Sequence, residues 1–388
     1  MSAAPAPHGG KVVRDTSARI WDREHRALTL GLLLTVSSTA FEALAVATIL
    51  PATVHDIGGL GLYGWAFSGF MLTNLFSITV AGRVIDRGGP AWPFIVGSLL
   101  FATGLLIAGL AQSMLVVVVG RAAQGLGAGA ISSVAYVAVG RGYPSDAKAR
   151  MLAMLSSAWV IPGLVGPALA GSVADHLGWR WVFLGLAPMT MIAASLGMPA
   201  LHRLDSAEVS RSHEPGVHWA LLLAVGTGAV LFGLSAGSLL TLVAWVGGGL
   251  MLALPALHVL APPGTLQARP GLPAAVATMA LLSFAFFGAE AFLPLALTTI
   301  RHQSTTMAGV VLTAATLAWT TGAWIQARLD APRSRRALAV AGLTLTLTGI
   351  AGTSLTRQPA AWPHARRQAR YRARGRGHRA DDHRRRLL

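Results

Sequence analysis

Eleven apolar stretches, each long enough to cross a bilayer core of roughly 30 Å as a helix, decide what this chain can fold into. They occupy residues 27–50, 63–81, 92–111, 114–139, 151–174, 181–201, 219–236, 239–260, 273–299, 307–327 and 337–355. Of the 388 residues 53% are hydrophobic and 12% charged, against roughly 25% charged in a soluble domain, so a single water-facing core cannot absorb the sequence. Backbone N–H and C=O groups in hydrocarbon must be satisfied within their own segment or in a closed barrel. The runs are rich in Leu, Ala and Gly and lack the period-two alternation of barrel strands. The expected fold class is all-α, a polytopic membrane protein with about 11 transmembrane helices.

The loops orient these helices, because Lys and Arg accumulate on the cytoplasmic side. With a cytoplasmic N-terminus, seventeen basic residues up to residue 355 fall on one side, among them Arg83, Arg87, Arg141, Lys148, Arg150, Arg269 and Arg328. The other side holds only Arg180 and Arg301. One missed helix would scramble every later loop, so the asymmetry also supports the span count. The expected organisation is a cytoplasmic segment (1–26), a six-helix bundle (27–201), a cytoplasmic linker (202–218), an inserted helix pair (219–260), a partial C-terminal bundle (261–355) and an Arg-rich tail (356–388). Segment 1–26 lacks the short apolar core and small-residue cleavage site of a secretory signal. The net charge of +16 reads as contact with anionic lipid of the cytoplasmic leaflet, not with nucleic acid. The expected location is the plasma membrane.

Several motifs lie on these helices in a characteristic order. After the second helix, Gly82-Arg83-Val84-Ile85-Asp86-Arg87-Gly88-Gly89 has the form G-x-x-x-D-R-x-G and reads as a tight turn. Its glycines would permit the turn and close helix approach, Asp86 would sit at a neighbouring helix N-terminus, and Arg87 would pair with a carboxylate. The fourth helix carries Arg121-Ala122-Ala123-Gln124-Gly125-Leu126-Gly127-Ala128. Its glycines are not a nucleotide-binding loop, since no strand precedes them and they lie in an apolar helix, where small residues serve packing. The fifth helix contains Pro162-Gly163-Leu164-Val165-Gly166-Pro167-Ala168-Leu169-Ala170-Gly171, in which Gly163 and Gly171 share a face and Pro167 removes a backbone bond. Gly178-Trp179-Arg180-Trp181-Val182-Phe183 follows. In the first helix Glu42 precedes Pro51 by nine positions.

Together these segments resemble the signatures of the major facilitator superfamily, and the fifth-helix G-P-x-x-G run and the G-W-R-W-x-F run resemble its drug:proton antiporter branch of fourteen-helix type. Glu42 stands where that branch has Asp, and Leu44 where it has Thr. Glu290, Pro294 and Asp330 weakly echo Glu42, Pro51 and Asp86, as in transporters built from duplicated halves. The resemblance implies a protein that moves a small molecule and protons by alternating access, without enzymatic activity, as a monomer.

The chemistry would sit on the strongly ionisable side chains that fall well inside the expected helices, Glu42, Arg121 and Glu290. Intramembrane charges mark functional sites by default. Burial disfavours the charged form of a carboxylate and a nearby cation favours it, so such a group can exchange a proton or a lipophilic cation. The structural alternative is a carboxylate simply satisfied by an Arg across the bundle. Phe41, Trp65, Phe67, Phe70, Phe284, Phe286 and Phe287 could line an apolar cavity, although packing or lipid contact explains each as well. The chain has no cysteine, no metal-ligand spacing of histidines and no Walker A pattern, so no cofactor is expected and ATP is not the energy source. The leading expectation is proton-coupled efflux of lipophilic or cationic compounds; the alternatives are proton-coupled nutrient uptake and an inactive, truncated transporter.

After residue 355 the composition breaks, and eleven arginines crowd into the remaining residues. Eleven helices with a cytoplasmic N-terminus would put this tail outside, against the charge rule. The expectation is a disordered segment produced by a frameshift near codons 355–365 that replaced three further membrane helices.

Overall fold

In a computed structural model of the protein, the described residues are 20–22, 25–204, 216–329 and 335–355, and among them the secondary structure is helical without strands. Residues 1–19, the middle of the expected linker (205–215), Asp330 and the Arg-rich segment with its proposed frameshift lie outside the described residues. The helices are α1 (Arg26–Ile57), α2 (Tyr63–Gly88), α3 (Ala91–Gly109), α4 (Met114–Gly142), α5 (Ser145–Ser157), α6 (Val160–His176), α7 (Arg180–Leu201), α8 (Val217–Leu234), α9 (Leu239–Leu260), α10 (Leu272–Thr299), α11 (Thr305–Leu329) and α12 (Arg335–Leu355). Among the described residues nine helical segments are long and apolar enough to cross a membrane, and the tenth and eleventh expected stretches are helical as α11 and α12. The protein is a multi-pass membrane protein.

The fifth expected span is built from two pieces. Pro162 has no N–H to offer the carbonyl of Ala158 four residues earlier, and the chain departs from the helix at Ala158 and Trp159. The Ser37 hydroxyl of α1 donates to that carbonyl instead, at 3.0 Å. By contrast, the helix runs unbroken through Pro167.

α1 to α7 form a bundle in which α2 packs on α4, α4 on α3, α3 on α7, α7 on α1 and α1 on α6. Small residues set the closest approaches, as expected where lipid supplies no hydrophobic drive between helices. A side-chain carbon at Gly127 would lie 2.5 Å from the Phe101 backbone nitrogen of α3, and one at Gly129 would lie 2.5 Å from the Asn74 carbonyl of α2. α4 therefore supplies both seams, packing on α3 through one face and on α2 through another. α8 and α9 pack on each other, and α8 rests on α2. α10 packs on α1. Residues through Trp324 form one compact unit and those from Ile325 a second; every contact described below lies within the first.

Candidate functional site

Glu42 on α1 and Arg121 on α4 are both withdrawn from the surface, at 0% and 2% exposure. The Arg121 Nη1 donates to Glu42 Oε1 and to Gln124 Oε1, forming a buried ion pair extended by an amide. The Arg121 Nε donates to the Ala66 carbonyl of α2 at 3.1 Å, and the guanidinium carbon lies 4.2 Å from the centre of the Phe70 ring. Three helices therefore hold one cation: a carboxylate from α1, a carbonyl and an aromatic face from α2, and an amide one turn along α4. Gly125 admits the α2 contribution, since a side-chain carbon there would collide with the Phe70 carbonyl and the Thr73 hydroxyl.

Among the described residues, two buried polar atoms of the cluster find no hydrogen-bond partner, Glu42 Oε2 and Gln124 Nε2. An unsatisfied buried polar atom costs about 1–3 kcal/mol, and natural folds keep few of them. Oε2 of Glu42 is buried beside the guanidinium-bound Oε1, and among the described residues no donor reaches it.

Glu290 lies on α10, half-buried, and among the described residues it forms no hydrogen bond or ion pair, either with this cluster or elsewhere. Its neighbour Ala291 accepts a hydrogen bond from the Tyr63 hydroxyl at 2.7 Å. Glu42, Arg121 and Gln124 are thus one assembly, and Glu290 is a separate carboxylate on the opposing helix.

The loop motif has a different geometry from the one its sequence suggests. α2 continues helically through Gly88, so the turn is confined to Gly89, whose φ of +80° is a conformation that side chains disfavour. A side-chain carbon at Gly82 would meet open space. Asp86 pairs with Arg141 at the end of α4, at 2.9 Å, and Arg87 is exposed. Arg141 had looked like one more positive loop charge. Its position twenty residues after Arg121 on one helix, roughly 30 Å further along, is the signal that could have placed it beside the α2 terminus.

On α6, Gly163 faces Thr316 of α11, Gly166 faces the Phe41 ring of α1, the Pro167 carbonyl meets Gly309, and Gly171 meets the backbone of Thr305 and Thr306. The motif helix is thereby the seam between the bundle and α11.

The sequence matches the family described as Major Facilitator Superfamily over residues 30–364. The chain belongs to that superfamily. Among its relatives, "Probable multidrug-efflux transporter Rv1634" of Mycobacterium tuberculosis is 26% identical over 329 residues, covering 80% of this chain and 68% of that protein. "Multidrug transporter protein MdtP" of Bacillus subtilis is 26% identical over 166 residues, covering 43% of this chain and 31% of that protein. The first curated relatives that the chain matches are thus covered over about a third of their own length. The fold is also that of a crystallised proton dependent oligopeptide family transporter, with a TM-score of 0.56 at 16% identity over 85% of this chain and 78% of that one.

Proposed function

We propose that this superfamily member is a proton-coupled efflux antiporter of the plasma membrane, its N-terminus cytoplasmic, which as a monomer exchanges lipophilic or cationic small molecules for protons by alternating access. The observation that carries the reading is the buried Glu42–Arg121–Gln124 assembly with its unpartnered Oε2. A proton arriving at Oε2 neutralises the carboxylate and weakens its hold on Arg121. An incoming cation would compete for the same carboxylate, so proton and compound exclude each other and one drives the other. Glu290 of α10, without an ion pair among the described residues, is a second carboxylate for a cationic compound. The 27–201 bundle and the later helices would rock about this centre, with the 219–260 pair docked on α2 as an insertion. Asp86, Arg87, Gly82 and Gly89, with Gly163, Gly166, Pro167 and Gly171, would serve that motion and not the substrate. The names of the multidrug relatives supply the compound class.

Purified protein in detergent, weakly buffered with a pH indicator, tests the reading. Adding a lipophilic cation should release protons in a saturable manner. Saturable binding with no proton release at any pH between 5 and 9 would exclude competition at a shared carboxylate.

A further inference from the structure

Four residues of α6 spaced one turn apart, Gly163, Pro167, Gly171 and Asp175, lie along one row of the helix, as residues at i and i+4 do. The first three lack a bulky side chain at the contact, and each meets α11: Gly163 at Thr316, Pro167 at Gly309, and Gly171 at Thr305 and Thr306. A side-chain carbon at Gly171 would stand 2.6 Å from the Thr305 carbonyl and 2.7 Å from the Thr306 Cα. That close approach brings the fourth residue to the start of α11. Asp175 Oδ1 accepts from the Thr305 N–H at 3.2 Å, and Oδ2 accepts from the Thr306 N–H at 2.8 Å and the Thr306 hydroxyl at 2.7 Å. The first N–H groups of a helix have no partner within it, and a carboxylate there satisfies them and complements the helix dipole.

This contact lies at the end of the bundle opposite the Arg-rich loops. Tyr63 begins α2 at the same end, and its hydroxyl bonds the Ala291 carbonyl of α10. Both contacts join a helix of the α1–α7 bundle to a later helix, and both must part if this face is to open.

We propose that Asp175 is the latch of that face: its carboxylate caps α11 across the seam and holds the side opposite the basic loops closed. α11 has to exchange this acid for water when the face opens, so the cap biases the resting population toward closure. The proposal rests on the alternating-access reading but not on proton coupling, and its test uses neither transport nor protons. Failure here leaves the chemistry of Glu42 untouched.

The chain contains no cysteine, so a single introduced thiol reports cleanly. Thr305 is 7% exposed, and the hydrogen bond that its backbone N–H donates to Asp175 at 3.2 Å is one that a cysteine keeps. In nanodiscs, Thr305→Cys should react slowly with a bulky, charged maleimide. Adding Asp175→Ala should speed labelling about tenfold, the population shift that loss of a charged helix cap supports. Asp175→Asn, whose amide oxygen still accepts one bond, should give about threefold, and Thr306→Val, which removes only the hydroxyl bond, about twofold. Labelling at the unmodified rate in Asp175→Ala overturns the latch. If that variant does not fold, unmodified rates in both Asp175→Asn and Thr306→Val overturn it instead.

Discussion

Removing the Arg121 side chain exposes the energetics of the central assembly. Arg121→Ala strands the fully buried Glu42 carboxylate and takes the donor from Gln124 Oε1. Breaking a buried pair from one side costs about 3–5 kcal/mol, most of it the stranded charge. Loss of the contact with the Phe70 ring adds about 0.5–2 kcal/mol. Glu42→Gln alone keeps an amide oxygen for Arg121 but leaves the guanidinium without a counter-charge. In the double variant neither charge is stranded, so Arg121→Ala with Glu42→Gln should recover about 2 kcal/mol or more relative to the sum of the two single losses. Unfolding in mixed micelles, followed by tryptophan fluorescence, reads all four corners of the cycle. Losses that add within about 0.5 kcal/mol would show that Glu42 and Arg121 do not sense each other and would refute the assembly.

The motif glycines divide sharply by geometry. Gly125→Val drives a branched side chain into the Phe70 carbonyl and should destabilise the protein by about 1–3 kcal/mol, whereas Gly82→Ala meets open space and should unfold within about 0.5 kcal/mol of the parent; the same micelle titration compares them. Arg141→Ala breaks a partly exposed pair with Asp86 and should cost no more than about 1 kcal/mol; a loss above about 3 kcal/mol would mean that this pair is the bundle's main fastening. Glu290→Gln should weaken binding of monocationic compounds about fivefold, the scale of one partly solvated charge interaction, and leave uncharged compounds unaffected in equilibrium binding.

The helices were legible because backbone groups in lipid permit little else, and apolar runs of this length with one-sided loop charge leave few alternatives. Local breaks were not. The interruption at Ala158 depends on Pro162 withholding a donor and on Ser37 of another helix replacing it, and only the second partner makes the break stable. Glu42 and Arg121 each stood out as charges in apolar helices, yet they are 79 residues apart and nothing in either helix names the other. Asp86 was expected to serve a helix N-terminus, but its partner is Arg141, which had counted only as one of the positive loop charges that orient the helices. Asp175 drew no expectation from the sequence, since two of the hydrogen bonds it accepts come from backbone N–H groups, which are invisible in side-chain patterns.

Transport by Glu42→Gln tests the central claim most directly, because amide and acid are nearly isosteric and only the acid can exchange a proton. Proteoliposomes carrying a lipophilic fluorescent cation should show transport that rises with an imposed pH gradient in the parent protein. Glu42→Gln, inserted and folded, should lose that gradient dependence entirely. Gradient-driven transport at the parent rate in Glu42→Gln would contradict the account and remove this carboxylate from the coupling mechanism.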